Sequence, residues 1–263
     1  MQRFDEGSID QLIGNIEFCV ANLVHPACSI DLAGQFYEEL AENGRALAIL
    51  RILIDADPEL FYSDLIGNAQ AMRHYLARCA REQYRDPCGA CSRSEPFFDA
   101  VASRCPELAI EIAALSPKMW LEGAEYEDDY CYAHFFHRYV TGGVPTSELE
   151  AILTRFELAT EGALCPRLDL CKAFVTLDQA AFDGAFSALL EERFAEIERE
   201  KKGRAEEELT VAIGTHIFVE GLAVLWVAEG AGFKTRREYP LCPALARIPR
   251  TAPVPEDLFE SIR

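Results

Sequence analysis

Apolar residues recur at three- and four-residue steps through most of this chain, as they do on the buried stripe of a helix. Leu47, Leu50, Ile54 and Phe61 mark the stripe early; Phe174, Leu177, Phe182, Phe186 and Leu189 mark it later. Between such runs stand helix-end signals. Ser8-Ile9-Asp10-Gln11 and Ser147-Glu148-Leu149-Glu150 have the spacing of a capping box, in which two side chains three residues apart satisfy each other's free backbone N–H groups. Asp57-Pro58 and Ser116-Pro117 place a capping side chain before a proline at the first helical position, with Cys105-Pro106 and Cys165-Pro166 as weaker versions. Gly142-Gly143, ahead of Val144-Pro145, reads as a helix stop and a turn. No run of period-two alternation bounded by hairpin turns stands out. The pattern predicts an all-α fold of about ten helices in antiparallel hairpins, solenoid-like or irregular. Residues 1–263 are expected to form a single domain; the alternative is an N-terminal helical subdomain, 1–115, packed on 116–263.

Two stretches refine this. From Arg167 to Lys202 the chain reads as one helical hairpin: a helix through Leu177, then Asp178 capping a longer one whose charged end beyond Leu190 projects into water. The period of about 34 residues that marks tetratricopeptide arrays is not evident, so the array is solenoid-like at most. From Leu209 to Ala228 the chain is almost wholly apolar, and about 20 such residues suffice to cross a bilayer. His216 and Glu220 near its middle, and the charged flanks, argue for a helix buried in a soluble protein instead. Four residues apart, the two side chains are expected on one face as a buried polar pair, with the other helices arranged around this C-terminal one.

Composition then excludes several classes. Half the residues are hydrophobic, enough for a substantial core. The first ten residues show neither a basic nor an apolar signal region, and the ten cysteines are dispersed through helical patterns. The expectation is a cytoplasmic protein with buried free thiols. Acidic residues number 44 against 25 basic ones, a net charge of −19, which repels nucleic acid and anionic membrane and favours a basic protein partner. Solubility alone accounts for such a charge equally well.

Chemistry, if any, would be sought in Glu122–His137. Glu122, Glu125, Glu127, Asp128 and Asp129 are followed by Cys131, His134 and His137 at three-residue steps. Those steps drift around a helix, so they do not converge on a metal as an i, i+4 pair does. The five carboxylates are expected instead to form an acidic, half-exposed patch that contacts a partner. Cys88 and Cys91 form a lone C-x-x-C in a polar loop; without a second such pair they read as incidental thiols, with reversible oxidation as the alternative. The chain carries no nucleophile elbow, phosphate loop or dinucleotide fingerprint. No catalytic residue, metal or cofactor is assigned.

The run Thr215–Phe233, followed by Glu238-Tyr239-Pro240-Leu241-Cys242-Pro243 and Leu245, resembles the closing helix and Tyr-x-x-x-Pro tail of the immunity protein 49 family. Asp169–Phe182 and Asp128–Phe136 resemble the same family's middle section, so the likeness spans about residues 120 to 245. It implies an all-helical bacterial antitoxin that binds a cognate toxin domain of a polymorphic secretion system and blocks it. An acidic surface suits fast capture of a basic toxin. A helical-repeat adaptor that binds peptides, and an enzyme or metalloprotein using Cys131, His134 and His137 or the Cys88/Cys91 pair, are the rival readings.

Overall fold

The computed structural model describes residues 4–25, 27–202 and 208–260. Among them the regular structure is helical, with two isolated bridges, Glu122 to Glu125 and Tyr239 to Cys242, as the extended pairings. The all-α expectation holds. Helices α1 (Glu6–Leu23) and α2 (Ile30–Leu50) form a hairpin, and α2 packs along α3 (Pro58–Glu82). A π-type turn, Arg51–Asp55, ends α2; Ala56 then takes a left-handed conformation (φ 51°) and Asp57 caps α3 by accepting from the N–H groups of Glu59 and Leu60. Close approach of α2 to α3 requires Gly44: a Cβ there would lie 2.0 Å from the Asn68 side-chain oxygen. Short helices α4 (Glu95–Ala102) and α5 (Pro106–Leu115) follow against α3.

The second half repeats the hairpin logic. Helix α6 (Glu127–Thr141) pairs with α7 (Thr146–Ala159), and α8 (Pro166–Thr176) with α9 (Gln179–Lys202). The hairpin expected between Arg167 and Lys202 is present, with the Asp178 carboxylate accepting from the N–H groups of Ala180 and Ala181. Gly142 and Gly143, at φ 72° and 66°, stop α6 as read. Not every end signal held. Asp5, rather than Ser8, is the N-cap of α1, with Ser8 as its reciprocal partner three residues on. Ser116-Pro117 opens no helix: its hydroxyl and N–H both donate back to the Ile112 carbonyl, closing α5. The core is rich in rings, with Phe174 edge-on to Phe136, Phe182 and Phe233 at centroid distances of 5.5, 5.9 and 5.5 Å.

The apolar segment near the C-terminus is not one helix. It forms α10 (Leu209–Gly214) and α11 (Val219–Gly230), broken at residues 215–218. The break has a tertiary cause. The Phe218 N–H donates to the Leu241 carbonyl of the tail at 2.8 Å, and the Cys242 thiol donates to the Phe218 carbonyl. Gly221 lets the tail approach, since a Cβ there would stand 2.6 Å from the Phe218 ring and 2.9 Å from the Cys242 sulfur. Length and mean hydropathy of 1.8 would let Leu209–Gly230 cross a membrane, yet 56% of its most apolar window is buried inside the molecule. Its apolarity is accounted for by packing: α11 lies on α4, and α10 on α2. These contacts return the C-terminal end to the N-terminal half, which a repeat array touching only its neighbours would not do. Residues 248–260 continue across α3, where the Tyr62 hydroxyl donates to the Ile248 carbonyl at 2.6 Å and Phe259 is buried beside Tyr37 and His74.

Candidate functional site

A charged cleft opens where the N-terminal and C-terminal halves of the chain meet. Two cavities of about 520 and 720 Å³ share Arg45, Arg93, Glu95, Arg167 and Glu220 as common wall. The first lies between α2, α9 and α10, over a floor of Ala46, Ile49, Met72, Ile217 and Phe218; the second continues past α4 to the first turn of α6. A cleft made by the return of α10 and α11 to α2 and α4 is a product of tertiary closure.

Arg167 is the hub. It occupies the first turn of α8, with its guanidinium 4.9 Å above the Tyr132 ring, 3.1 Å from the Asp129 carboxylate and 3.3 Å from that of Glu220. Glu220 also accepts from the Tyr132 hydroxyl at 2.8 Å, so both its oxygens are engaged. Glu220 holds the guanidinium charged more firmly than a free arginine, while burial and then Glu220 push the Tyr132 phenol far up. Arg45 is anchored from below by Asp99, which is fully buried, at 2.7 Å; Asn68 donates to the other Asp99 oxygen. Burial, opposed by Arg45, still raises Asp99 to about 6.

The rim is acidic. Glu38 pairs with Arg93, and Glu196 and Glu200 with Arg193. Glu42, Glu95 and Glu208 face the first cavity with no cationic partner among the described residues. Glu42 is accordingly pushed above the usual carboxylate range, by partial burial first and then by Glu38, Glu208, Glu39 and Glu95.

The residues singled out in the sequence are distributed unevenly around this cleft. Of the acidic patch, Glu125 and Asp129 line the second cavity. Glu125 is spent on structure, accepting from the N–H groups of Ser92 and Leu121 at 2.8 and 2.9 Å; Glu127 pairs with Arg155 and Asp129 with Arg167. Glu122 is exposed, and Asp128 accepts from the Asp129 N–H. The proposed His216–Glu220 pair does not form. The break before α11 leaves His216 exposed, edge-on to Phe4, while Glu220 turns into the cleft. Arg204 to Glu207, read as part of the charged flank, lie outside the described residues.

Cys131, His134 and His137 do not converge, and no group of three metal-ligating side chains is found among the described residues. His134 stacks on Tyr130; His137 is buried against Phe97, with the Cys91 sulfur 3.7 Å from its Nδ1. Burial, then Lys118 and His134, lowers His137 to about 3. All ten cysteines are free. Cys91 lies in the turn before α4, as the loop reading had it, but is buried there and raised to about 12 chiefly by burial; Cys88 is raised to about 12 as well.

Arg167, Tyr132, Glu42, Glu95 and Glu208 were missed by the sequence reading. One signal for Arg167 existed: a cation in a first helical turn opposes the helix dipole and needs acids nearby to hold it. The others lie on ordinary charged faces, and only closure of the array brings them together.

A sequence model described as immunity protein 49 matches residues 55–246, about three quarters of the chain. No curated protein and no solved structure matches. The match starts just before α3, well ahead of residue 120, where the resemblance in the sequence begins.

Proposed function

We propose a function from one premise: this chain belongs to the immunity protein 49 family. Members of an immunity family act on a protein partner, and the reading for this chain is an antitoxin that captures a cognate secreted toxin domain in the cytoplasm and blocks it without chemistry of its own. Family membership carries the reading. The net charge of −19 supports a basic partner, because a strongly acidic surface raises the encounter rate with one. The cleft gives that charge a concave focus, and Glu122, in the loop before α6, and Asp128, in the first turn of α6, flank residues that line its second cavity.

The test is a tagged pull-down from the native bacterium, washed at low and at high salt, with retained polypeptides identified by mass spectrometry. One basic toxin domain held near one-to-one is the expected outcome. A mixed set of weakly held, salt-sensitive proteins would transfer the assignment to a peptide-binding adaptor, and retention of none would remove the antitoxin reading.

A further inference from the structure

We propose that the first cavity is the docking slot for a lysine or arginine side chain on a basic segment of the partner protein. This rests on the reading of the chain as a partner-capturing protein, and names the contact and its chemistry. A long basic side chain has an apolar stem and a cationic tip. The cavity offers the matching sequence: an apolar floor of Ile49, Met72 and Phe218, then the carboxylates of Glu42, Glu95 and Glu208 around it. Its own arginines do not serve the purpose. Arg45 is taken by buried Asp99, Arg93 by Glu38, Arg193 by Glu196 and Glu200, and Arg167 by Asp129 and Glu220. The three remaining carboxylates come from three separate places in the chain, on α2, at the start of α4 and just before α10, so their assembly is a property of the closed fold. Beyond the effect of its partial burial, Glu38, Glu208, Glu39 and Glu95 all act on Glu42 to raise it, so an incoming cation relieves existing repulsion while it gains partners. About 520 Å³ accommodates such a side chain with part of its backbone, whereas a folded domain stays outside.

A fluorescein-labelled hexa-arginine peptide tests this in the full-length protein by anisotropy at two salt concentrations. The variant Glu42→Gln/Glu95→Gln/Glu208→Gln is compared with Glu107→Gln/Glu150→Gln/Glu161→Gln, which removes the same charge from exposed positions outside the cleft. The cleft variant is expected to bind about tenfold more weakly and the control within about twofold of the parent. Thermal melts confirm folding; relief of repulsion should leave the cleft variant at least as stable. Methyl-labelled methionine gives a second readout: Met72, on the cavity floor, should shift on peptide binding, and exposed Met119 should not. Equal weakening in both triple variants, or an unmoved Met72 at saturation, overturns the proposal by showing that binding follows overall charge. The peptide result stands independently of the pull-down, so loss of the slot and loss of the antitoxin reading are separate outcomes.

Discussion

A cation in the first turn of a helix faces the positive end of the helix dipole, so Arg167 is held by its neighbours rather than by its own helix. Replacing it by methionine keeps the stem and strands the Asp129 and Glu220 carboxylates against each other. Arg167→Met should lower unfolding free energy by about 2–3 kcal/mol in urea titrations, with part restored in Arg167→Met/Glu220→Leu. No recovery in the double variant would mean the arginine acts through packing alone. His137 gives a pH-dependent counterpart. Its folded-state value of about 3 lies below that of the unfolded chain, near 6.5, so its contribution is complete above 6.5 and is lost as pH falls from 6.5 towards 3. His134, lowered to about 4 chiefly by burial, acts the same way. Asp99 and Asp64, both raised to about 6 chiefly by burial, act oppositely and gain stability as pH falls through that value. Comparison with His137→Phe isolates one group: between pH 7 and pH 5 the parent should lose about 2 kcal/mol relative to the variant. Parallel stability–pH curves would contradict this.

Helix ends carry most of what the sequence makes legible, because a cap acts through its own neighbours. Asp57, Asp178 and Gly142 stood where they were expected for that reason. Leu177 did not behave as its spacing implied. It is 60% exposed and sits in the left-handed region (φ 54°) at the end of α8, a conformation that costs a branched side chain about 1–2 kcal/mol. Leu177→Gly should therefore raise stability by about 0.5–1 kcal/mol, read from the denaturation midpoint, the gain limited by the extra freedom of glycine in the unfolded chain. A loss would show that the leucine has a role in holding the turn. The break between α10 and α11 is the opposite case. Residues 215–218 contain no proline or glycine to break a helix, and what diverts them is the Leu241 carbonyl, more than twenty residues later, taking the Phe218 N–H. Reading His216 and Glu220 as a pair failed on that one hydrogen bond.

At the scale of the molecule, α10 on α2, α11 on α4 and the tail across α3 tie the two halves of the chain together. The expected consequence is a single cooperative unfolding transition. Phe259→Ala, at the far end of the tail, should lower stability by about 3 kcal/mol and move the helical signal and the fluorescence of Trp120 and Trp226 together. A tryptophan transition left in place while the helical signal shifts would separate residues 1–115 from 116–263 after all, since both tryptophans lie in the latter. The all-helical class, the hairpin ends, the acidic charge and the family resemblance were readable in the chain alone, since periodicity, capping and composition are local or additive properties. The cleft was not: Glu42, Glu95 and Glu208 are unremarkable surface acids in sequence, and Arg167 meets Glu220 only because α11 folds back beside it. Long-range closure decides which charges are neutralised and which are left facing a cavity, and no local pattern encodes that.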